Sequence, residues 1–70
     1  MLKISYNKLW KLLVDKKMSK ADLRKSAEIA PNTMTKLRRD EPVSMTILLK
    51  IATHLKCDIS DICEFIKEGE

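Results

Sequence analysis

The sequence predicts an all-α fold of five short helices around one core. Three observations point there. The chain of 70 residues holds one Gly and two Pro, too few for a turn-rich sandwich or barrel. A single grammar of helix starts recurs five times along it. Between those starts the apolar residues fall at helical spacing.

The grammar is an apolar residue, then a candidate N-cap, then a second apolar residue four positions on. The sets are Ile4-Ser5 with Leu9, Met18-Ser19 with Leu23, Ile29-Ala30 with Met34, Val43-Ser44 with Leu48, and Cys57-Asp58 with Ile62. Each reads as a hydrophobic staple that fixes how the chain enters a helix. Ser19 and Asp58 also have an acid three residues on, Asp22 and Asp61, which approximates a capping box. Ser and Asp can accept a first-turn N–H. Ala30 cannot, but Pro31 follows it, at the one helical position where a missing N–H costs nothing.

The helices are therefore expected near 5–16, 19–27, 31–39, 44–55 and 58–67. Leu9, Leu12 and Leu13 share a face of the first. Leu48, Ile51, Ala52 and Leu55 follow the i, i+3, i+4, i+7 rule in the fourth, and Ile59, Ile62, Cys63 and Ile66 do so in the fifth. The third ends at Arg39-Asp40-Glu41-Pro42, because Pro42 pushes Glu41 out of the helical region. Length and continuity make residues 1–70 one domain.

Composition narrows the function. The chain is 44% hydrophobic and 34% charged, which is globular. No apolar run reaches membrane-spanning length, and Lys3, Lys8 and Lys11 interrupt the N-terminal apolar residues, unlike a signal peptide. Two cysteines suit a reducing cytoplasm, the expected location. The net charge of +4 is unevenly spread. Residues 16–39 hold eight Lys/Arg against two acids, net +6, while residues 40–70 hold three Lys against seven acids, net −4. A basic first half suggests a polyanionic partner on one side; a merely uneven solvated surface is the plain alternative.

The basic part contains the segment that carries chemistry. Helices two and three are short and joined by about three residues, Glu28-Ile29-Ala30, the geometry of a helix-turn-helix at 19–39. Helix three buries Met34 and Leu37 and turns Asn32, Thr35, Lys36 and Arg39 outward. Two Thr and an Asn are poor helix formers, so stability alone does not explain them. Asn pairs with adenine edges, Lys with guanine, and Thr offers a methyl or hydroxyl.

From MSKADLRKSAEIAPNTMTKLRRDEPVSMTILLKIATHLKCDISDI the sequence resembles the Cro/phage-repressor-type, lambda-repressor-like helix-turn-helix regulators. It is closest to small stand-alone members with a first helix like YNKLWKLL. The resemblance implies sequence-specific binding of an operator in double-stranded DNA, as a homodimer, with helix three as the recognition helix. It places base contacts on Pro31, Asn32 and Lys36, with Thr35 beside them, and backbone contacts on Lys20, Ala30, Thr33 and Arg39. Four positions depart from the family pattern: Arg24 for a small Ala, Glu28 for the turn Gly, Arg38 for a frequent Glu, and Lys56 for another helix-end Gly. The basic partner of that Glu is here Leu13, so both members of the pair are changed together. If Glu28 occupies the Gly position, its φ should be positive.

Other residues read more plainly. His54, Cys57, Asp58 and Cys63 do not form a recognised zinc spacing, and packing accounts better for both thiols. No catalytic constellation or phosphate-cradling loop is visible, so neither an enzyme, a cofactor nor a small-molecule ligand is expected. Trp10, Val14, Phe65 and Ile66 exceed what one small core needs. They form either a broadly buried first helix or a dimer surface. The expected function is a DNA-binding transcriptional regulator, a repressor. The alternative is a protein-interaction module such as an antitoxin or an accessory subunit of a regulator.

Overall fold

The computed structural model describes residues 1–68. In chain order it consists of strand β1 (Leu2–Ser5), helices α1 (Asn7–Asp15), α2 (Lys20–Ser26), α3 (Pro31–Arg38) and α4 (Met45–Leu55), a single 3-10 turn (Ile59–Asp61) and strand β2 (Glu64–Lys67). β1 and β2 pair antiparallel, with Ile4 opposite Phe65 and Ser5 opposite Glu64. The architecture is four helices plus a hairpin, which corrects the expected five helices and the pure all-α class.

The expected fifth helix starts as predicted and then stops. Asp58 accepts the Ile59 N–H at 2.6 Å, and Asp61 accepts the Asp58 N–H at 3.1 Å. One turn later the Ile62 carbonyl is taken by the Leu9 N–H of α1 at 3.2 Å, so its partner lies on another element and not further along its own segment. The chain from Glu64 onward satisfies its backbone on β1 instead. The same hairpin shortens the first helix. Ser5 belongs to β1 and is buried, and the N-cap is Tyr6. The Tyr6 N–H donates to Asp40 Oδ1 at 3.1 Å, across 34 residues.

The remaining starts follow the sequence. Ser19 and Asp22 form a reciprocal capping box at 3.0 and 2.9 Å. Ser44 accepts the Ile47 N–H at 3.3 Å, and Ala30 leaves the start of α3 to Pro31. One core cluster gathers Leu9 and Leu13 of α1, Leu23 of α2, Met34 and Leu37 of α3, Leu48, Ile51 and Leu55 of α4, together with Tyr6 and Ile62.

All four helices end the same way. Lys17, Glu28, Asp40 and Lys56 have φ of 54–56°, in the left-handed region. The next N–H in each case bonds back five residues: Met18 to Leu13, Ile29 to Arg24, Glu41 to Lys36, and Cys57 to Ala52, all at 2.9–3.0 Å. This is the glycine-favouring helix terminus built without glycine. The Glu28 expectation is met, and Lys17 and Asp40 add two positions that nothing in the sequence singles out. At three of these ends one apolar residue does two jobs. Met18, Ile29 and Cys57 close the helix behind them and also stand just before the N-cap of the next element. All three pack on the core.

Tyr6 ties the two ends of the core together. Its ring is buried and its hydroxyl donates to the Glu41 carbonyl at 2.8 Å. Burial, with the nearby Cys63 thiol and Asp40 carboxylate adding to it, pushes the phenol up from 10.0 to about 12. Folding thus favours the protonated phenol. Its stability is present in full below pH 10 and is lost as pH rises through about 12.

Glu28→Gly should raise stability by about 1 kcal/mol, seen as a melting temperature roughly 4–8 °C higher. The same change at Lys50, inside α4, should lower it. Tyr6→Phe should cost about 1–3 kcal/mol at neutral pH, because the Glu41 carbonyl loses its donor. In that variant, denaturant titrations above pH 10 should show a shallower alkaline loss of stability than in the wild type.

Candidate nucleic-acid interface

The left-handed Glu28 sets the joint between α2 and α3. Only Ala27 to Ala30 separate the two helices, and Ala27 and Ile29 are buried under them. α3 is therefore held by its inner side, through Met34 and Leu37, and its outer side is left to solvent.

On that outer side Asn32 and Lys36 are exposed and one turn apart, so they share a face. Pro31 and Ala30 are exposed at the start of the helix and Arg39 at its end. Thr35 is half-buried and already engaged. Its hydroxyl donates to the Pro31 carbonyl at 3.1 Å and accepts from Arg38 at 3.1 Å. Thr33 is half-buried and lines a small hollow with Lys36 and Ser44, where α3 meets the start of α4. The structure thus places Asn32 and Lys36 free on one face and brings Arg38 onto Thr35.

Lys20, the first residue of α2, is exposed, and its Nζ sits 4.3 Å from the centre of the Trp10 ring. In the sequence Trp10 is legible only as surplus apolar area, since a contact between two helices leaves no trace in spacing. Arg39 Nη1 lies 4.0 Å from Glu41 Oε2, a long, exposed pair of little energetic weight. The exchange at Leu13 and Arg38 also has a physical reading. Leu13 joins the core, and Arg38, left without the usual partner, reaches Thr35 along its own helix.

The other sequence candidates sit apart from this face. Cys57 and Cys63 are half-buried free thiols packed against the core, and burial pushes both up. His54 is exposed on α4. Among the described residues no group of three His, Cys, Asp or Glu could hold a metal ion, and no helix is long and apolar enough to cross a membrane. Of the surplus apolar residues, Val14 and Phe65 are exposed, and Trp10 and Ile66 are half-buried.

Two short helices, a tight left-handed joint and a polar outer face on the second match a known family model. The Cro/C1-type HTH DNA-binding domain model covers residues 8–68. The chain belongs to that family. Its fold is similar to the crystal structure of the transcriptional regulator VanUg, Form II, with a TM-score of 0.94 and 46% sequence identity. That likeness covers 96% of this chain and 89% of the other. No match is found among the curated proteins. As a Cro/C1-type domain, the chain is a DNA-binding regulator, and the departures at Arg24, Glu28, Arg38 and Lys56 are accommodated within the fold.

Proposed function

We propose that residues 1–70 act as one helix-turn-helix domain that represses transcription by reading the major groove of an operator with α3. The observation that carries this is the exposed pair Asn32 and Lys36, one turn apart on the face opposite Met34 and Leu37. Pro31, Asn32, Lys36 and the rim of Thr35 meet base edges. Lys20, Ala30, Thr33 and Arg39 meet the backbone. The phosphate contacts supply affinity and register, and the base contacts supply sequence preference. The similarity to a transcriptional regulator supports the reading.

One recognition helix reads only a few base pairs, so the domain acts as a symmetric dimer with recognition helices roughly 34 Å apart. The spare apolar area lies beside the hairpin. Leu2, Met45, Leu49, Ile59 and Phe65 are all exposed, and Phe65 is 72% exposed. Leu2, Ile4, Met45, Ile59 and Phe65 line a groove of about 630 Å³. Ile66, expected beside Phe65 on this surface, is half-buried and alternates to the other side of the hairpin. These exposed side chains lie together rather than singly, as apolar residues at an interaction surface do. A second copy of this chain is the occupant.

Duplexes selected from a random pool test the reading. Asn32→Ala or Lys36→Ala should cost about 1–3 kcal/mol on the selected site and relax preference at one or two base pairs. Lys20→Ala or Arg39→Ala should weaken all duplexes similarly and lower the salt slope by about one unit per lost phosphate contact. Unchanged affinity and preference in both Asn32→Ala and Lys36→Ala would move the function to the protein-interaction alternative, whose apolar contact is insensitive to salt. Sedimentation of the chain with and without the selected duplex should show a dimer on DNA that Phe65→Lys weakens. Monomer alone in both conditions removes the dimer, and a dimer indifferent to Phe65→Lys moves the interface elsewhere.

A further inference from the structure

Trp10 is the chain's one tryptophan. It lies on α1, outside both helices of the helix-turn-helix, yet it is only half-buried. Its ring carries the Lys20 ammonium, 4.3 Å from the ring centre. Lys20 is an adverse choice on local grounds. It is the first residue of α2, against the positive end of the helix dipole, where acids are favoured. A free lysine there would also sample many rotamers and would have to give them up to hold one phosphate. The indole face answers both problems. It attracts the cation and limits where the long side chain goes, while the ammonium keeps N–H donors on the side away from the ring.

We infer that Trp10 is a positioning residue: it holds Lys20 in place for a phosphate of the DNA backbone. This rests on the DNA-binding reading above. Trp10 itself touches no nucleotide. Its effect on binding passes entirely through Lys20, so removing the ring should matter only while the lysine is present.

The test is a double-mutant cycle on the full chain with the selected duplex, run at several salt concentrations beside thermal melts. Trp10→Leu should weaken binding about two- to five-fold, the range of an exposed cation–π pair. It should leave the salt slope unchanged, because the lysine still reaches the phosphate. Lys20→Ala should weaken binding and lower the slope by about one unit. Adding Trp10→Leu to Lys20→Ala should then change neither affinity nor slope. Trp10→Phe, which keeps an aromatic face, should recover most of the affinity. Tryptophan emission of the free protein should change in Lys20→Ala, reporting the contact without DNA.

Equal weakening by Trp10→Leu with and without Lys20 would mean that the ring only supports the fold, and the inference falls. It falls equally if Trp10→Phe binds no better than Trp10→Leu. If the wild type selects no duplex, the DNA-binding reading falls and takes the inference with it. If it selects one and the cycle shows no coupling, only the positioning role is lost.

Discussion

The helix ends govern this structure. A chain of 70 residues makes its core by turning its helices back within a few residues, and here each of the four ends at a left-handed residue. The one glycine, Gly69, is not available for any of them. Lys17, Glu28, Asp40 and Lys56 take the left-handed conformation instead, each at a cost of about 1 kcal/mol. What holds them there is the residue that follows. Met18, Ile29 and Cys57 each bond back across the turn and pack on the core before the next helix starts. The joint between α2 and α3 is one case of this rule. The exposure of Asn32 and Lys36 depends on it, since it decides which side of α3 is buried.

The third joint is built differently, because the residue that bonds back after the left-handed Asp40 is the charged, exposed Glu41, which does not pack on the core. Here the anchor comes from the far end of the core. Asp40 accepts the Tyr6 N–H, and Glu41 accepts the Tyr6 hydroxyl. Two polar contacts replace the single apolar one, and they explain why Tyr6 is buried with its hydroxyl satisfied. They also fix the loop that leads from α3 to Ser44 of α4, beside Lys36 and Thr33.

Local signals are legible in the sequence, and distant pairings are not. The Ser19 box, the Ser44 cap and Pro31 at the start of α3 depend on residues within five positions of one another. Each can be read for that reason. The hairpin is different. β1 and β2 are four residues each and lie at opposite ends of the chain, so neither shows a convincing alternation alone. The helical spacing of Ile59, Ile62, Cys63 and Ile66 is real but has two causes. Ile62 is buried by the core, and Ile66 is covered through strand register. The outward face of α3 follows from spacing, whereas the seating of Lys20 on Trp10 does not, because it joins residues on separate helices.

The hairpin has a topological consequence. The Glu68 N–H donates to the Met1 carbonyl at 3.0 Å, so the two ends of the described chain leave from the same corner of the molecule. The polypeptide is close to a ring. Its most remote strand pairing, Leu2 with Lys67, would become a local one if a short linker joined the ends and a new opening were cut elsewhere. In the natural order that pairing closes a loop of nearly the whole chain for only four residues of ladder, an entropic cost that rises with loop length. A circular permutant would remove that cost and leave the recognition face as it is.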